Sequence, residues 1–294
     1  MRDHHLTRPR VSPELLASLS ARLTDRDRLI CELLWEHRVL TTKQIAEIAF
    51  DNVDLAEHRL VSLHRHRVVD RFRPRTETGS APFHYVLDEM GASIVAADRG
   101  LDITKLGFRR ERALAQAHRQ RLAHTLGVNG FFAALTGVAR RRPGCELLAW
   151  WSERQCADRW APVVYPDAYG HWREDGSEVD FFLEYDRGTE VVDRVAAKLD
   201  GYRELAATTG IRTPLLVWLE RPGREASVRR ALTEATFPIA TAAPVGGRTP
   251  ADAVWLLLGR TEARLRLTQL APGTARSRSV DTARGGCVME GRST

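Results

Sequence analysis

The sequence predicts an α/β protein in two parts: an N-terminal winged helix-turn-helix and a C-terminal mixed sheet flanked by helices. Three observations lead there. Short helical patterns near the N-terminus are followed by an arginine-rich hairpin pattern. Further along, apolar segments of strand length alternate with amphipathic helices, the alternation that builds a sheet covered by helices. The length of 294 residues suits two domains, each able to bury its own core.

Residues 1–23 read as a polar leader, and residues 24–100 as the helix-turn-helix domain. Asp25 or Thr24 caps a first helix in which Leu29, Ile30, Leu33 and Leu34 recur at helical spacing until about His37. Thr41 caps a short second helix carrying Ile45 and Ile48. A third begins near Asp54, with Ala56, Leu60, Leu63 and Val68 as its apolar stripe and His58, Arg59, Arg65, His66 and Arg67 on its other faces. Three helices joined by short turns form a helix-turn-helix, whose last helix is placed to enter the major groove. Val68, Val69, Arg71, Arg73 and Arg75, a turn at Gly79 to Pro82, and alternating Phe83, Tyr85 and Leu87 then read as a hairpin wing. Its arginines are expected on phosphates while the third helix contacts base edges.

Charge agrees with such a partner. The net charge is +6, and only Lys43, Lys105 and Lys198 are lysines, so arginine supplies nearly all the positive charge. Arginine grips phosphate bidentately and stacks on bases; codon bias in a GC-rich genome also produces arginine for lysine, so position matters more than number. The expected partner is double-stranded DNA. No run of about 18 apolar residues occurs, and no apolar segment follows the basic N-terminus, so no membrane span and a cytoplasmic location are expected. Cys31, Cys145, Cys156 and Cys287 lack metal-ligand or disulfide spacing.

Residues 101–270 form the second domain. A long helix from Phe108 carries Leu114, Leu122, Val128, Phe132 and Leu135, is loosened at Gly127 and Gly130, and stops before Pro143 and Gly144. CELLAWWSE reads as a strand, followed by a loop, and APVVYPDA as a second strand ending at Pro166 and Asp167. SEVDFFLEYD is the third strand, TEVVDRVAAKLDGYRELAATTG a helix, TPLLVWLE a strand buried on both faces, REASVRRALTEA a helix and ADAVWLLLG a last strand. Residues 271–294 are Gly/Ser/Arg-rich without periodicity and read as a disordered tail.

The third strand carries the chemistry. Alternation puts Asp180, Phe182, Glu184 and Asp186 on one face. Lys198 falls inside the apolar stripe Val191, Val195, Leu199, Tyr202 and Leu205 of the next helix, a costly place for a cation unless a carboxylate receives it. Asp167, Glu184, Asp186 and Lys198 are therefore expected to gather. Such oxygen ligands suit Mg2+ or Mn2+, with Asp167 and Glu184 as the metal ligands. Lys198 would orient a nucleophile or hold a phosphate. Glu153 and His124 are further candidates; an ion pair explains the first equally well, and a structural hydrogen bond the second. Tyr165, Tyr169, Tyr185 and Tyr202 lack an accompanying histidine pair, so water is the expected nucleophile.

These residues resemble two nested families. Asp167 after Pro166, then an acidic residue inside an apolar strand, is similar to the PD-(D/E)XK nucleases, which implies a restriction-endonuclease-like sheet. Asp186 stands where that motif has lysine; some members carry the lysine on the next helix, as Lys198 is here. More specifically, Trp151 to Glu153, Pro166 to Ala168, Leu183 to Glu190 and Lys198 to Leu205, behind a winged helix, resemble the replication-relaxation family of actinobacterial mobile elements, over about residues 24 to 260. That resemblance implies relaxation or nicking of plasmid DNA for replication or mobilisation, with replication or conjugation proteins as partners and a homodimer as an option. Three readings stay open: a metal-dependent nickase, a non-catalytic initiator or regulator with an inactive nuclease-like domain, or a structural set in which Asp186 or Thr189 caps a helix and Glu184 pairs with Arg187 or Lys198.

Overall fold

The computed structural model describes residues 13–20, 22–74, 81–110, 121–189, 192–232, 235–260 and 263–272. The chain divides into two compact units, residues 1–133 and 134–294.

In the first unit, α1 (Pro13–Ser20) precedes α2 (Asp25–His37), β1 (Leu40–Thr41), α3 (Thr42–Ala49) and α4 (Val53–Arg65). Local chemistry sets each start. Thr24 and Asp27 form a reciprocal capping box, as do Thr41 and Gln44, while the Asn52 side chain accepts from the Leu55 N–H. β2 (Val69–Phe72) and β3 (His84–Leu87) pair antiparallel, and β1 adds to the other side of β3. The expected helices and hairpin strands are thus present. The hairpin tip, with Arg75 and Gly79, lies outside the described residues.

An ion pair with a buried carboxylate ties two of the helices together. Asp27 is fully buried, and the Arg59 guanidinium donates to it twice, Nε to Oδ1 at 2.8 Å and Nη2 to Oδ2 at 2.5 Å. α4 is therefore bound to the start of α2 by a bidentate pair, the strong form of this contact.

Three features depart from expectation. Pro13–Ser20 is a helix with Leu19 buried, where a polar leader was expected; residues 1–12 lie outside the described residues. Asp88 caps an unforeseen helix, α5 (Glu89–Asp98), followed by α6 (Ile103–Leu106). The division between units falls later than residue 100, within α7 (Leu122–Arg141). Its early turns belong with the first unit: Leu122 and Leu126 pack on Val39 and Val86, and the Asn129 amide donates to the His37 and Val39 carbonyls at 3.1 and 2.7 Å. Residues 111–120 of the expected long helix are outside the described residues. By length and composition α7 alone among the described helices could cross a membrane, but half of its apolar window is buried within the protein.

The second unit is one mixed sheet in chain order: β4 (Cys145–Ser152), β5 (Ala168–Glu174), β6 (Ser177–Asp186), β7 (Leu215–Leu219), β8 (Ile239–Ala242) and β9 (Leu256–Leu257). β4, β5 and β6 are antiparallel, β6, β7 and β8 parallel, and β9 antiparallel to β8. The parallel steps are bridged by α9 (Val192–Thr209) and α10 (Glu225–Ala231), as parallel neighbours require. β7 is buried along its whole length, which explains its unbroken apolar run. Phe182, Leu199, Tyr202, Leu205, Val217, Val228 and Ile239 share a core on the helix-covered face.

Here APVVYPDA is not a strand. Ser152 and Gln155 form a capping box that starts α8 (Glu153–Trp160) where a loop was expected, and Pro162 and Pro166 bring no N–H to a ladder. The strand is instead AYGHWRE, joined to β6 by Asp175 and Gly176 at φ +49° and +77°, the conformation a two-residue hairpin turn demands. Asp167 accordingly precedes a strand rather than ending one, and β8 is an addition to the expected set.

Gly91 shows how tightly α5 is seated: a Cβ there would stand 2.2 Å from the Val68 carbonyl oxygen and 2.6 Å from Leu87 Cδ1. Gly91→Ala should lower stability by about 1–3 kcal/mol through overpacking, read as a lower urea midpoint with unchanged m.

Candidate active site

β6 presents its carboxylates to the helices. Glu184, paired with Val217 of β7, is 4 % exposed. Its Oε1 accepts from the buried Tyr202 hydroxyl at 2.6 Å, and its Oε2 binds Lys198 Nζ, so both carboxylate oxygens are bonded from one face of α9. Lys198 and Tyr202 are four residues apart and adjacent on that face. Gly201 lets α9 come close: a Cβ there would lie 2.6 Å from the Val163 carbonyl oxygen.

Asp167 joins from the start of β5. Because Ala168 pairs with Leu183, Asp167 stands opposite Glu184, and its Oδ2 accepts the Tyr185 N–H at 2.8 Å. Burial first, and then the charge of Asp167, push the Glu184 carboxyl up to about 7 against the opposing pull of Lys198 and Tyr202. The same burial, with Glu184 beside it, raises the Tyr202 phenol well above its ordinary value, which makes it a poor nucleophile.

Asp186 lies elsewhere. Its Oδ2 accepts from Arg224 Nε at 2.6 Å and its Oδ1 from the Gly188 N–H at 2.7 Å. The expected four-residue gathering is therefore a core of Asp167, Glu184 and Lys198, with Asp186 drawn toward the β7–α10 connection. Among the described residues no three His, Cys, Asp or Glu side chains assemble as a metal cage. Glu153 opens α8, after the strand rather than on it, and is half-buried. His124 sits in the first turn of α7, in the first unit and not in the unit that holds the carboxylates. The side chains of Val191 and Val195 lie outside the described residues.

The basic residues also separate. His58 and Arg65 are exposed on α4, and His66 is exposed at its C-cap. Arg59 is held by Asp27, and Arg67 by Glu89 with Asp88 at 3.8 Å. On the hairpin, Arg71 and Arg73 stack on the Phe83 ring, Cζ to centroid 4.2 and 3.9 Å. Reading the sequence alone missed Tyr202 as the partner of Glu184, although its spacing from Lys198 signalled it, and missed Arg224, which no periodicity marks.

A helical unit with an antiparallel hairpin, followed by a six-stranded mixed sheet holding a buried glutamate, with Asp167 beside it, against a lysine, defines a two-unit α/β protein. The chain belongs to the replication-relaxation family, whose model matches residues 32–216. No curated protein shows significant sequence similarity to it.

The Glu184 shift has a pH signature. The folded carboxyl keeps its proton up to about 7, whereas the unfolded one loses it near 4.5, so stability is fullest below 4.5 and falls as the pH rises through that window. Glu184→Gln keeps a hydrogen-bonding group but cannot ionise. Its stability relative to wild type should rise between pH 5 and 7.5 in urea titrations; a constant difference across that range would contradict the assignment.

Proposed function

We propose that this protein binds DNA of a mobile element through its N-terminal winged helix and nicks one strand by metal-dependent phosphodiester hydrolysis in its nuclease-like α/β unit. Family membership supports a role in replication and relaxation. The observation that carries the chemical reading is the buried Glu184 set between Asp167 and Lys198. The two carboxylate oxygen donors suit Mg2+ or Mn2+, which keep several waters and share their coordination with phosphate. Asp167 and Glu184 would hold the ion, which when bound neutralises phosphodiester charge and acidifies a water.

The chain's own groups do the positioning. Tyr202 and Lys198 fix both oxygens of Glu184, and the Tyr185 N–H fixes Asp167. Lys198, with 39 % of its side chain exposed, brings a positive charge to the edge of the site, where a phosphate can meet it. In the first unit, exposed His58, Arg65 and Arg73 are the residues offered to DNA, while Arg59 and Arg67 serve the fold.

A second reading, a non-catalytic initiator or regulator, is favoured by one observation: both Glu184 oxygens are already bonded and Asp186 is engaged by Arg224. Supercoiled plasmid carrying the DNA that flanks the gene separates the two. With Mg2+ or Mn2+, wild type should produce open circles, and Asp167→Asn and Glu184→Gln should reduce the rate at least about a hundredfold, the usual scale for losing electrostatic stabilisation of a transition state. Retarded DNA without nicking would establish the regulator instead.

A further inference from the structure

We propose that Arg221 and Arg224 form a binding site for a backbone phosphate of DNA at the carboxyl end of β6 and β7, with Asp186 as the positioning residue for Arg224. This rests on the DNA-processing reading above and extends it to where the strand is held.

The site is assembled by two connections. β6 and β7 run parallel and end together, Asp186 beside Leu219, and the Glu220 N–H donates to the Asp186 carbonyl at 2.9 Å. The carboxyl ends of parallel strands are where open α/β sheets receive ligands. From here the chain turns at Gly188, φ +73°, while the other connection runs through Arg221 to Arg224. A Cβ at position 188 would lie 3.5 Å from Arg221 Cδ and 3.2 Å from Arg224 Cδ, so the glycine leaves room for both arginine stems over one turn.

The charges differ in their attachments. Arg187 has Glu220 at 3.6 Å. Arg224 is fixed through Nε by Asp186, whose carboxylate is itself buried and anchored by the Gly188 N–H. Arg221 is exposed and has no carboxylate within ion-pair distance among the described residues. A fixed guanidinium beside an exposed one suits a phosphate, which takes paired N–H donors. The place also fits the candidate active site: Asp186 follows Glu184 by two residues on the same face of β6, about 7 Å along the strand.

Full-length protein and a fluorescent duplex of arbitrary sequence provide the test, because phosphate contacts are independent of sequence and visible in the salt dependence of binding. Arg221→Gln lies on the surface and leaves the core intact; it should reduce the slope of log K against log salt by about 0.9. Asp186→Asn with Arg224→Gln, which removes the pair together, should reduce it likewise, while Arg224→Lys should retain the wild-type slope. Unchanged slopes in Arg221→Gln and in the double variant, with Arg73→Gln lowering the slope, would keep the DNA-binding reading and overturn this site. Failure of wild type to bind any duplex would overturn both.

Discussion

Burying an ionisable carboxylate costs several kcal/mol unless donors meet its oxygens, and the second unit is organised around meeting that cost at Glu184. Tyr202 and Lys198 approach from α9, and Gly201 between them allows the helix to press against the Val163 backbone. The segment KLDGY is therefore one device: two donors and the missing side chain that lets them reach. Asp167 adds the opposing influence. A second carboxylate beside a buried one raises its proton affinity, so the pair holds negative charge reluctantly.

The first unit uses charge in the reverse sense. One of its ion pairs, Asp27 with Arg59, joins α2 to α4 and engages an arginine that the sequence alone offered for DNA contact. Arg67 is consumed by Glu89 and Asp88. Basic composition alone therefore does not separate the arginines that serve the fold from the rest, and Arg71 and Arg73 are held over the Phe83 ring.

Much of this was legible in the chain. Period-2 and period-3.6 patterns marked β6, β7, α9 and the helices between Asp25 and Arg65 with nearly their observed limits, because those elements have one buried face or two. The lysine inside an apolar stripe signalled a carboxylate partner, which Glu184 supplies. Failures occurred where local signals conflicted. Val163 and Val164 suggested a strand, but Pro162 and Pro166 deny it hydrogen bonds, and the Asp175–Gly176 turn was the better marker of where β5 lies. Asp186 could not be separated from Glu184 by alternation alone: they share a face, and only the fold brings Arg224 to one and Lys198 to the other.

The central claim is that Asp167 and Glu184 constitute a divalent-cation site rather than a purely structural acid pair. Electron paramagnetic resonance of Mn2+ titrated with the full-length protein tests it directly, without depending on any DNA sequence. The account predicts loss of the free-ion signal on titration with wild type and its retention with Asp167→Asn. Equal depletion by both proteins, or none by wild type, would contradict the claim and leave Glu184 as a buried anchor for α9.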